Sequence, residues 1–155
     1  MKRLLWVFGI LLVCLAGCGQ KDDGVDPTIP PYLPDHQIAG STLPGKIAGY
    51  TALGAAPVAQ QMSATYARDT QPLDLVVVTF DPSGDFGTVS LSNQQWYGVS
   101  RCGIMWKGDA KQTPQPTQSA CVTVLVDGVM TTVSGGEQTP DDLAGLANAI
   151  YKTLA

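Results

Sequence analysis

The chain is poor in the side chains that most enzymes use for chemistry. Among its 155 residues there is one histidine, His36, and one glutamate, Glu137. From position 46 onward no histidine remains, so no Ser/His/Asp or Cys/His set can be assembled there. Positive charge is also scarce, with 9 Lys and Arg against 13 Asp and Glu. Lysines this scattered exclude a nucleic-acid binder and leave no polybasic patch for anionic lipid. No C-x-x-C pair occurs, and no internal repeat is found. The longest apolar run is short for spanning a bilayer. Nothing here announces a reaction or a cofactor.

What is present begins at the N-terminus. Lys2 and Arg3 precede an almost wholly apolar stretch from Leu4 to Val13, the layout of a secretory signal. Leu15-Ala16-Gly17-Cys18 closes it. This stretch resembles the lipobox of bacterial lipoproteins. The resemblance implies diacylglycerol on the Cys18 thiol and cleavage before it, with small neighbours giving the enzymes access. The alternatives are an ordinary cleaved signal with a chance cysteine, or an uncleaved anchor. On the lipoprotein reading residues 1–17 are removed, and Cys14 goes with them. Losing Lys2 and Arg3 leaves 7 basic against 13 acidic residues, a formal charge of −6. A buried acyl CH₂ contributes about 0.8 kcal/mol, so two chains hold firmly where one does not. The expected location is the extracytoplasmic face of a cell membrane. Gly19 lacks the aspartate that, in such lipoproteins of diderm cells, commonly accompanies inner-membrane retention.

Residues 18–45 are expected to be a lipidated, flexible tether. The stretch carries Pro27, Pro30, Pro31, Pro34 and Pro44 and shows no helical or alternating period. His36 falls within it and reads as solvent-exposed. Residues 46–155 are then one globular domain with room for one core. Its two cysteines, Cys102 and Cys121, most simply pair in an exported protein. Free thiols with redox work are the alternative.

Along the domain, Lys46 to Tyr50 reads as a short edge strand. Val58, Met62 and Tyr66, spaced by four behind Pro57, predict a short helix over 58–67. Leu75-Val76-Val77-Val78 is apolar on both faces and predicts a central strand. In Asp81-Pro82-Ser83-Gly84-Asp85 the alternating oxygens imitate a calcium loop, but Ser92 stands where an EF-hand needs Glu. A turn is the better reading, because aspartates suit turns by bonding their own backbone. Strand material follows over 88–91 and 96–107, and 108–118 reads as a polar loop. Val122, Val124 and Val126 alternate before Asp127-Gly128, which predicts a type I′ hairpin. Thr139, Pro140, Asp141 and Asp142 predict a capped helix start, with Leu143, Leu146, Ala147, Ile150 and Leu154 on one face.

The expected fold is therefore α+β: a single small antiparallel sheet, a short N-terminal helix, and a C-terminal amphipathic helix packed on it. Leu43-Pro44, Ile47-Ala48-Gly49-Tyr50, Cys102-Gly103 and Cys121 also resemble small exported lipoproteins of Actinobacteria. That resemblance implies fold and envelope location and brings no catalytic residues.

Three functions remain open. The first is a non-catalytic binding or accessory role towards an envelope protein or polymer, with Trp96, Tyr97 and Trp106 as a contact surface; core packing is their alternative role. The second is a carrier of lipid or another apolar ligand between sheet and terminal helix. The third, least favoured, is carboxylate chemistry at Asp81 and Asp85. No metal or cofactor is expected.

Overall fold

The computed structural model describes residues 29–84, 89–107 and 115–155, without the side chains of 106, 107 and 115–117. Among the described residues, eight strands form one antiparallel sheet and one helix covers part of it. In chain order the strands are β1 (Lys46–Ile47), β2 (Tyr50–Ala52), β3 (Ser63–Arg68), β4 (Gln71–Asp81), β5 (Ser92–Tyr97), β6 (Ser100–Lys107), β7 (Gln115–Leu125) and β8 (Gly128–Ser134). Their spatial order is β1-β2-β3-β4-β8-β7-β6-β5. The helix α1 (Pro140–Tyr151) lies over β6, β7 and β8 and touches β1.

The strands alternate sides as extended backbone must. One set of side chains meets the helix: Tyr66, Val76, Val78, Met130 and both cysteines are buried there against Leu143, Leu146, Ala147 and Ile150. The other set carries a smaller cluster of Leu91, Ala120, Val122 and Val129, flanked by half-buried Val89, Trp96, Met105, Val124 and Val133. As expected from its apolar run, β4 is central. Its second face is nevertheless open, since Val77 remains 38% exposed.

The helix starts as its sequence predicts. The Thr139 hydroxyl accepts from the Asp142 N–H, and the Asp142 carboxylate accepts from the Thr139 N–H, a reciprocal capping box. All five residues of the predicted apolar face are buried. Cys102 and Cys121 sit directly opposite each other on β6 and β7 and are disulfide-bonded, with Cα atoms 4.0 Å apart. The bond lies on the helix face; the Cys121 sulfur is 3.6 Å from the Pro140 carbonyl.

Besides β5, which starts at Ser92 after residues 89–91 that were expected as strand and are irregular, four expectations change. The short N-terminal helix over 58–67 is replaced by turn and strand, with β3 starting at Ser63. Its spacing by four failed because Met62 and Val58 are exposed and only Tyr66 enters the core. Strand β7 begins at Gln115, inside the stretch read as polar loop. The β7–β8 connection is Val126-Asp127, since Leu125 pairs with Gly128. Neither connecting residue has positive φ, so the turn is not type I′. Gly128 serves a close approach instead: a Cβ there would lie 2.4 Å from the Asp81 carbonyl oxygen. The positive pair is Ala48 (φ 50°) and Gly49 (φ 79°), between β1 and β2.

The fourth change concerns the stretch expected as tether. From Tyr32 onward it is strapped to the domain. Ile38 and Leu43 are buried in the main core. The Val126 N–H donates to the His36 carbonyl (2.9 Å) and the Gln37 N–H to the Ala155 carbonyl (3.0 Å). The prolines that prevent helix here leave an extended segment, and the sheet end supplies its hydrogen-bond partners.

Candidate functional site

The sequence offered aromatic residues as the best candidates, and the structure places Trp96 and Tyr97 at one end of the sheet and position 106 near the other end of β6. Trp96 and Tyr97 end β5. The turn Tyr97-Gly98-Val99 follows, and α1 pins it. The Asn148 side chain accepts from the Val99 N–H (3.2 Å) and the Ser100 hydroxyl (3.1 Å) and donates to the Tyr97 carbonyl (2.8 Å). Gly98 permits this, with φ at +61° and a would-be Cβ 3.1 Å from the Asn148 amide nitrogen.

The strap completes the site. The Tyr32 hydroxyl donates to the Val99 carbonyl. Its ring meets Trp96 and Tyr151 edge to face, each at 6.3 Å between centroids. The His36 ring lies over Tyr151 at 4.4 Å. Asp35 ties the two together: its carboxylate accepts from the Tyr151 hydroxyl (2.6 Å) and contacts the His36 Nδ1 (2.6 Å). These bonds, that of Tyr151 first, hold the Asp35 carboxyl below its ordinary value. Burial pushes Tyr32 and Tyr151 up.

Between strap, turn and helix end lies a hollow of about 250 Å³, lined by His36, Gly98, Val99, Asn148, Tyr151 and Lys152. Its polar groups are largely spent on structure: Asn148 on the turn, Asp35 and Tyr151 on each other. What remains is a mostly apolar recess with His36 and Lys152 on its lining. Behind the recess the sheet carries a buried pair, Ser100 and Thr123, with hydroxyl oxygens 2.7 Å apart.

Of the candidates, Trp96 and Tyr97 are both half-buried, Trp96 against the second-face cluster and Tyr97 against the main core. They are thus neither plain core nor plain surface. The Trp106 side chain lies outside the described residues, as do Cys18 and Asp85. Asp81 behaves as a turn residue, accepting from the Ser83 N–H and hydroxyl at 2.9 Å each. No group of three His, Cys, Asp or Glu able to hold a metal occurs among the described residues. Sequence reasoning missed Tyr32, Asp35, His36 and Tyr151. It also missed Asp127, whose carboxylate accepts from the Ile38 (3.0 Å) and Ala39 (2.8 Å) N–H groups. The only signal was Tyr151 beside the helix face and a lone tyrosine and histidine among prolines.

Further hollows on this chain lie along Pro82–Gly84 with the β7–β8 turn, and between Thr79, Val89 and Thr131. Where a carrier cavity was expected, between sheet and α1, Leu143, Leu146, Ala147 and Ile150 are fully buried in packed contact. No family model matches the chain, and no curated protein or solved structure matches it.

Proposed function

We propose that the chain is a lipid-anchored cell-envelope protein, acylated at Cys18, with a non-catalytic binding or accessory role on the extracytoplasmic face. The anchor rests on the sequence of residues 2–18. The binding role is supported by one observation: the strap, the β5–β6 turn and the end of α1 build an aromatic-walled recess whose polar atoms are mostly engaged internally. Such a site offers shape and apolar area rather than reactive groups. Its partner is an envelope protein, a polymer or a small apolar ligand; no nucleic acid and no cofactor belong to this reading.

Two measurements test it. The mass of the chain isolated from membranes of an exporting host should show diacylglycerol on a cleaved N-terminal Cys18, lost in Cys18→Ser. An unmodified mass sinks the anchor. Native mass spectrometry of the Cys18→Ser chain, exported and free of detergent, reads the recess. An added mass that disappears on denaturation and is lost in Lys152→Trp, at an exposed position on the recess lining, supports a small apolar ligand. A bare mass sends the search to macromolecular partners, for which Tyr97→Ala and His36→Ala should weaken capture without unfolding the domain.

A further inference from the structure

Apolar side chains stand out into solvent at the end of the sheet that carries the strap. Leu33 is 90% exposed, Val126 61% and Ile29 61%. They share one end because the strap lies against the β7–β8 turn: His36, three residues after Leu33, accepts from the Val126 N–H. Directly behind them are Tyr32 and Trp96 in edge-to-face contact. The acids at this end are occupied. Asp127 holds the Ile38 and Ala39 amides, and Asp35 holds Tyr151 and His36. Lys152 is exposed beside them. Aliphatic tips backed by aromatic rings, with a lysine beside them, are what a bilayer interface accepts.

A second exposed apolar group, Leu53, Val58 and Met62, lies in the β2–β3 connection at the same end of the sheet, and Leu73, 94% exposed, stands alone near the other end. Position in the chain separates the two. Only ten residues, 19 to 28, lie between Cys18 and Ile29. Fully extended they reach roughly 40 Å. An acylated Cys18 therefore holds the start of the strap within that reach of the headgroups, whereas the β2–β3 connection is joined to the strap only further along the chain, at Ser41 to Leu43. A leash this short gives an effective concentration in the millimolar range, so a weak surface affinity suffices for occupancy.

We propose that the strap end of the domain, through Ile29, Leu33 and Val126, seats on the lipid surface to which Cys18 anchors it. This rests on the anchor reading above. The recess then opens beside the membrane, within reach of ligands or partners held there.

The test is hydrogen exchange of the acylated chain in vesicles of phosphatidylglycerol and phosphatidylcholine, compared with the Cys18→Ser chain in solution. Amides of residues 32, 33 and 126–128 should exchange at least tenfold more slowly on vesicles, while those of 53–62 are unchanged. Equal protection of both groups, or protection at 53–62 instead, overturns the proposal. Leu33→Asp with Val126→Asp should abolish the protection; both positions are exposed, so the fold should be retained, which circular dichroism checks. If the Cys18 mass proves unmodified, the anchor reading fails and the seat is judged alone. Flotation of the Cys18→Ser chain with the same vesicles, reduced tenfold by the double substitution, then supports it. No flotation, or flotation indifferent to the substitution, overturns it.

Discussion

The two faces of the sheet come from the same alternating strands yet end differently. On the helix face, Tyr66, Val76, Met130 and Val78 meet α1 and are lost to solvent. On the second face, Val77, Thr79, Thr131 and Val133 are partly or largely exposed, and burial is complete only around Ala120 and Val122. Strand alternation is a property of the backbone; what each face becomes depends on what is laid over it. Here one 12-residue helix covers the β6–β8 half, and the disulfide sits under that same helix. The second face also buries Arg101, 2% exposed, with one guanidinium nitrogen donating to the Val89 carbonyl at 3.1 Å. A closed core and a mixed, partly open surface thus share a sheet one residue thick.

The contrast can be broken most severely from the helix side. Leu146→Ala removes a fully buried side chain between helix and sheet and should cost about 2–5 kcal/mol in urea unfolding. A loss under 1 kcal/mol would mean that the helix layer is not the main core. Replacing Cys102 and Cys121 together by serine should cost about 2–4 kcal/mol, read as a lowered Tm. Both sulfurs are inaccessible, so the native bond should resist mild reductant until the domain opens.

Asp127→Ala leaves the Ile38 and Ala39 amides without their acceptor, which should cost about 1–3 kcal/mol. Exchange should accelerate in the strap before it does in β7 or β8. Uniform acceleration would place the strap inside the main cooperative unit. Acid should act at the helix start. The Thr139 N–H and hydroxyl, with Arg68 nearby, hold the Asp142 carboxyl below its ordinary value. That contribution is present above the unfolded carboxyl range, near pH 4, and is lost as pH falls through the lower folded value. Thr139→Ala, costing about 0.5–2 kcal/mol, should flatten this acid limb only in part, because the Thr139 N–H bond to the carboxylate remains. The smallest effect belongs to the open face: Val77→Thr should change stability by about 0.5 kcal/mol or less. A loss above 2 kcal/mol would show that this face is covered in the protein as it exists.

How legible these features were in the sequence follows the range of the forces involved. The terminal helix was readable because cap, first-turn acids and apolar period all lie within 16 residues, 139 to 154. The disulfide was readable from the number of cysteines in the domain and the expectation of export. The run at Val76 gave the central strand, but nothing local could say that only one face would be covered. The false helix at 58–67 arose because a spacing of four over three residues is short enough to occur by chance. The candidate site was the least legible part. It is assembled by contacts between positions far apart in sequence, such as Asp35 with Tyr151 and Asp127 with Ile38. The prolines of the strap describe its backbone correctly, as extended and without helix, while saying nothing of the sheet end on which it lies.

The strap also decides how the molecule meets a mechanical load. A pull applied at Ile29 reaches the domain through fastenings in series: Tyr32 to Val99, Asp35 to Tyr151, His36 to Val126, then Asp127 gripping two amides at once. Fastenings in series open one at a time, as a zip does, so each bears the force alone. The ladders β4–β8 and β7–β8 and the cross-link at Cys102 lie behind all of them. Tension would therefore peel the strap away, residue by residue, and spend itself before any strand of the sheet had to part.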